Sequence, residues 1–239
     1  MALLSLFAVI YTVLRLVPTF PMVGVTATFA ASDVIAPLYG LILGPYIGGG
    51  SIILGTFLAA VFGRPMVFLG LDFLPATVGA VSLGFLVRRR FHNITAVFIV
   101  LLALFLINPL TLPLVGLPNG VLVPFNWLHF VTFVILVSPL SRRAVDWVVS
   151  PSHRYLAQGL AVLCFIGTMM QHLTGGLLFE SVFGLLLGAI ALEAWPGVWT
   201  AVFYLYPLER IVITIIATLV GSALITTLRV AGMGEQNHS

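Results

Sequence analysis

Three long stretches of this chain carry no charged side chain at all: Val34 to Gly63, Phe91 to Ser141 and Tyr155 to Phe179. Each is long enough for at least one helical membrane crossing of about 20 residues. Backbone amides in lipid must be satisfied by the protein itself, within a helix or between the strands of a closed barrel, so such runs leave those two options. Strict polar–apolar alternation is absent, which argues against the barrel. The fold class expected is therefore an all-α, polytopic transmembrane bundle. Composition agrees, with 61% hydrophobic and 7% charged residues, against roughly a quarter charged in soluble domains.

The first apolar segment is expected at about Ala2–Val17. It lacks a basic n-region and carries Arg15 where a signal peptide would turn small and polar, so it reads as a retained helix. Pro18, Pro21 and Gly24 then open an apolar loop to Asp33. Val34–Gly63 spans about 45 Å as one helix, too long for one upright crossing and short for two. Gly44-Pro45 and Gly48-Gly49-Gly50 lie mid-run and predict two short helices meeting at a tight turn. Further segments are expected at Phe73–Val87, Ile94–Leu110, Leu128–Leu140, Tyr155–Gly175 and Leu208–Leu228. Ser181–Tyr206 is broken at Pro196-Gly197 and reads either as a kinked helix with an interfacial stretch or as a short hairpin. The total is eight or ten helices, some short or broken, in a single domain over residues 1–232 with a polar tail at 233–239.

All ten basic residues are arginine. Arg88, Arg89, Arg90, Arg142, Arg143, Arg154 and Arg229 fall at segment ends on one face, which the positive-inside rule makes cytoplasmic, with both termini beside it. That placement explains the net charge of +3 without a nucleic acid. The opposite face receives Arg15, Asp33, Arg64, Asp72, Glu180, Glu209 and Arg210, of both signs. Asp33, Asp72 and Glu209 would each suit a positive helix start. The same residues could also line an outward-opening polar pocket, since ionisable groups at membrane depth are functional candidates.

Catalytic motifs are missing. No Lys exists for a phosphate-binding Gly-x-x-x-x-Gly-Lys loop, no Gly-x-Ser-x-Gly elbow is present, and Cys164 is alone. The histidines show no metal-ligand spacing, and no cofactor is indicated. Small residues recur every fourth position at Ala8/Thr12, at Ala76/Ala80/Gly84 and at Thr214/Thr218/Ser222, patterns that let helices approach closely. A weak echo links Tyr39-Gly40-Leu41-Ile42-Leu43-Gly44 to Phe183-Gly184-Leu185-Leu186-Leu187-Gly188.

The short first helix, the loop Val17-Pro18-Thr19-Phe20-Pro21-Met22-Val23-Gly24, the segment Ser32 to Pro45 with its hairpin, and the ending Tyr206-Pro207-Leu208-Glu209-Arg210 before a last helix with small residues resemble a substrate-binding S component of an energy-coupling factor (ECF) transporter. The resemblance covers residues 1–90 and about 180–239. It implies capture of a vitamin-like small molecule in an outward-facing cavity under the first loop. It also implies a transmembrane coupling subunit and two cytoplasmic ATPases as partners, with Ala8 and Thr12 on the coupling-subunit interface. The family usually has six helices, and its first helix carries two alanines where this chain has Ala-x-x-x-Thr. The residues expected to contact ligand are Arg15, Asp33, Asp72, Glu180, Glu209 and Arg210, with Tyr11, Trp127, Trp199 and Tyr204 for stacking. The setting expected is a prokaryotic cell membrane. Two rival readings are a non-catalytic subunit of a respiratory or oxygenase-type membrane complex, and a membrane enzyme using a metal at His172 and Glu180.

Overall fold

In the computed structural model the described residues are 2–231, so the polar tail at 233–239 lies outside them. The chain is nearly all helical: α1 Ala2–Arg15, α2 Ala31–Val61, α3 Leu74–Val87, α4 Phe91–Ile107, α5 Trp127–Val137, α6 Pro139–Val149, α7 His153–Phe179 and α8 Trp195–Val230. Two small antiparallel hairpins are present, β1 Pro18–Pro21 with β2 Thr28–Ala30, in the loop expected before Asp33, and β3 Leu114–Gly116 with β4 Leu122–Pro124, between α4 and α5. Three helical stretches are long and apolar enough to cross a membrane, Ala31–Val61, His153–Leu186 and Leu192–Val230.

The first of these turns back on itself, as the glycines and prolines predict. Gly44 breaks the helix with φ 76° and ψ 174°, a conformation that a Cβ would oppose. Past it, a Cβ on Gly48 would lie 2.5 Å from the Tyr39 carbonyl oxygen. Residues nine apart in a straight helix would stand about 13 Å apart along the axis, so the halves run back to back. The small residues hold this hairpin against its neighbours. Gly40 touches the backbone of Ala80 on α3, Gly84 touches Pro45, and Gly79 meets the Gly167 carbonyl on α7.

The stripe on α1 packs the same way. Ala8 and Thr12 are buried, and the Thr12 hydroxyl bonds the carbonyl oxygens of Ala8 (2.8 Å) and Gly55 (3.2 Å). This small-residue face is therefore turned into the chain's own α2. The outward face of α1 carries Leu3, Leu6, Val9 and Val13.

Pro196 does not break a helix. It sits in the first turn of α8, where its missing N–H removes no internal bond, and α8 continues through Pro207 for 36 residues. Glu209 and Arg210 thus lie mid-helix rather than at a helix start. α7 lengthens beyond expectation through a π-helical stretch, Glu180–Leu186. The segment expected at Leu128–Leu140 becomes α5 followed, after a 70° bend, by α6. Ser138 caps α6 and Pro139 opens it.

The two charge populations occupy opposite ends of the bundle. At one end Arg89 pairs with Asp146, Arg142 lies over the Phe91 ring, and Arg229 donates to the carbonyls of Val148 and Ser150. At the other end Arg15 meets Asp33 and Asp72.

Candidate functional site

A cavity of about 320 Å³ opens at the mixed-charge end. Its walls come from the end of α1, the β1–β2 hairpin, the start of α2, the α2–α3 loop, the C-terminal third of α7 and the N-terminal half of α8. Arg15, Asp33, Asp72, Trp199, Glu209 and Arg210, all expected at a ligand site, line it.

One wall is a buried ion cluster. The Arg15 guanidinium lies 3.5 Å from Asp33 and 3.8 Å from Asp72. Both acids also serve local backbone. Asp33 reaches back to accept the Ala30 N–H (3.0 Å) at the start of α2, and Asp72 accepts the N–H groups of Val67 (2.8 Å) and Phe68 (2.9 Å). A carboxylate that takes two backbone donors fixes the loop before α3 as well as facing the cavity. Arg64 ties this loop to the hairpin by donating to the Thr28 carbonyl at 2.6 Å. Burial and then the charge on Arg15 lower its pKa, but a guanidinium remains charged near neutral pH.

The facing wall belongs to α7 and α8. Arg210 pairs with Glu209 at 3.0 Å and donates to the Thr168 hydroxyl at 3.1 Å. Gln171 and His172 follow Thr168 by three and four residues, so the three share one face of α7. Gln171 is buried, lines the cavity, and its Oε1 has no hydrogen-bond partner. His172 Nδ1 faces His129 Nε2 at 3.1 Å, and the His172 ring stacks on Tyr206 with centroids 4.8 Å apart. The Tyr206 hydroxyl anchors on the Phe125 carbonyl at 2.9 Å. Aromatic packing closes this side: Trp199 lies edge-on to Phe105 and Phe125, at 5.4 and 4.9 Å, and its indole N–H donates to the Leu110 carbonyl.

The remaining expected contacts lie elsewhere. Tyr11 is fully buried, edge-on to Tyr39, behind the ion cluster. Trp127 and Tyr204 sit on the outer surface, 37% and 51% exposed. Glu180 is buried and accepts from the Thr111 hydroxyl at 2.7 Å, which pins the segment after α4 to α7 rather than facing the cavity. It does not combine with His172, whose partner is His129. Among the described residues no three His, Cys, Asp or Glu side chains cluster closely enough to hold a metal ion.

Gln171, His172 and Arg64 are lining residues not singled out as ligand contacts from sequence. A signal for the first two exists: the polar doublet Gln171-His172 stands in the middle of an otherwise largely apolar, charge-free run. His129 and His172, far apart in sequence, meet because α5 and α7 are neighbours. No protein-family model, curated protein or solved structure matches the chain.

Proposed function

We propose that the chain is a membrane-embedded capture component of a small-molecule uptake system, binding its ligand in this cavity from the outer side. The observation that carries the reading is the cavity itself: it lies at the end opposite the arginine cluster, and its walls come from six separate elements of the fold. Pockets of a few hundred Å³ with apolar walls and a few convergent polar groups are the usual form of small-molecule sites. The β1–β2 hairpin forms one side and fits a lid. Counting the halves of α2 separately and setting amphipathic α6 at the interface, the helices make eight traverses, which agrees with the positive-inside placement of the arginines. The chain carries no nucleotide-hydrolysing motif, so uptake would draw on partner subunits. An ECF-type coupling subunit with its ATPases fits that role, docking on a face other than Ala8/Thr12.

The test is purification in mild detergent followed by mass spectrometry of everything retained. A stoichiometric small molecule, lost together with uptake of that molecule in a Trp199→Ala, Arg210→Ala double variant, is expected. Retention of large membrane partners at fixed stoichiometry with no small molecule would favour the structural-subunit reading instead.

A further inference from the structure

One charged side chain in the cavity wall stands without an opposite charge. The lining carboxylates each have a guanidinium: Asp33 and Asp72 meet Arg15 at 3.5 and 3.8 Å, and Glu209 meets Arg210 at 3.0 Å. Arg15 serves two acids, but neither depends on a second cation. Asp33 also accepts the Ala30 N–H, and Asp72 accepts those of Val67 and Phe68. Backbone donors of this kind favour the charged form of a carboxylate. Arg64 lines the same cavity, and among the described residues no carboxylate lies within ion-pair distance of it.

Arg64 is nevertheless held in place. Its Nη2 donates to the Thr28 carbonyl (2.6 Å), the Thr28 hydroxyl (3.2 Å) and the Phe29 carbonyl (3.3 Å), all on β2. Neutral acceptors fix the guanidinium without cancelling its charge. Nη1 and Nε have no hydrogen-bond partner among the described residues, and neither is shut off from contact as Arg210 Nε is. The charged group felt most strongly at Arg64 is Arg15, of like sign, ahead of Asp33 and Asp72. Neither acid alone therefore stands in for a counter-ion. A half-buried cation is screened less than one on an open surface, so an anion that meets it gains more. One guanidinium matches one negative charge, whereas a phosphate monoester brings about 1.5 to 2. A carboxylate is the better match, and its hydrogen bonds to guanidinium are of the strong, charge-assisted type. Phe20, Phe68, Phe179 and Trp199 supply apolar and aromatic wall for the rest of the molecule.

We infer that the cavity takes an organic monocarboxylate with an apolar, ring-bearing body, its carboxylate meeting Arg64. This rests on the cavity being a ligand site, as proposed above. The probes are 2-naphthoate, 2-naphthamide and 2-naphthylmethylammonium, which share one ring system and are anionic, neutral and cationic. Equilibrium dialysis against the purified full chain in neutral detergent measures each. Naphthoate is expected to bind at least tenfold more tightly than either comparator. Arg64→Gln should bring naphthoate down to the amide, with amide binding unchanged as the sign that the cavity is intact. Arg64→Lys, which keeps the charge, should retain part of the preference. Because Arg64 also tethers the hairpin, the comparison of probes on the unaltered protein decides the matter if Arg64→Gln does not fold. Equal or tighter binding of the amide or the ammonium by the unaltered protein overturns the inference. So does an anion preference that survives in folded Arg64→Gln, or binding of none of the three. Displacement of naphthoate by phosphatidylglycerol would make this a site for a lipid head group and overturn it as well. The molecule retained on native purification separates the two levels: a neutral or cationic retained ligand sinks the carboxylate assignment and leaves capture standing, whereas no retained molecule and no probe binding sink both.

Discussion

Arg15 shows how one residue can carry a local fold. Its side chain is 8% exposed and its two carboxylate partners come from different segments, α2 and the loop before α3. Removing the cation while keeping both acids leaves buried negative charge uncompensated, at a cost of about 3–5 kcal/mol for a broken buried pair. Arg15→Ala should therefore lower the thermal midpoint in detergent strongly. The triple change Arg15→Met, Asp33→Asn, Asp72→Asn should recover part of that loss, since it removes the charges together. Equal loss in both variants would show that the ion cluster matters only through packing. The histidine pair makes a smaller claim of the same type. His129 is fully buried and its ring nitrogen lies 3.1 Å from that of His172. His129→Leu keeps the volume roughly but leaves His172 Nδ1 without its partner, a penalty of about 1–3 kcal/mol. His129→Asn, which retains a donor and an acceptor, should lose less, and differential scanning of the two variants decides it.

At the scale of elements, glycine sets how closely helices approach. A Cβ on Gly40 would sit 1.7 Å from the Ala80 carbonyl oxygen, whereas one on Gly197 meets nothing within 4 Å. Gly40→Ala must push α2 from α3 and should unfold the protein at markedly lower temperature. Gly197→Ala, in the first turn of α8, should be neutral or gain up to about 1 kcal/mol through helix propensity. Matching midpoints for the two variants would contradict the packing described. The same glycines explain what was legible in the sequence. The Gly44-Pro45 break was readable because its chemistry is local, a positive φ followed by a missing N–H. The echo at Phe183–Gly188 proves to share the stop signal, Gly188 having φ 56°, but not the architecture, since α8 starts at Trp195 rather than at Glu209. Pro196 was ambiguous because proline opens helices as readily as it ends them, and the neighbours decide which. The site was half legible for a related reason. Arg15, Asp33 and Asp72 stand out against apolar surroundings and their gathering on one face follows from segment counting. Which ring or amide turns inward depends on helix rotation, so Tyr11, Trp127 and Tyr204 pointed elsewhere while Gln171 pointed in.

At the scale of the whole molecule, two ends of opposite character make a claim about orientation that needs no ligand to test. The arginine-rich end presents exposed Arg90, Arg143 and Arg154, and basic residues beside an anionic leaflet gain about 1 kcal/mol each. The other end holds the cavity and, beyond α4, the β3–β4 hairpin with exposed Asn119 at its turn. The chain's one cysteine, Cys164, is buried in α7, so the unaltered protein offers little background to a thiol reagent. In intact cells an impermeant maleimide should label Asn119→Cys and leave Arg143→Cys unlabelled until the membrane is opened. The reverse pattern would turn the cavity toward the cytoplasm and overturn the proposed capture of a ligand from outside. Labelling of both from outside would mean that the two ends do not lie on opposite sides of a bilayer, and the traverse count would fall with the orientation.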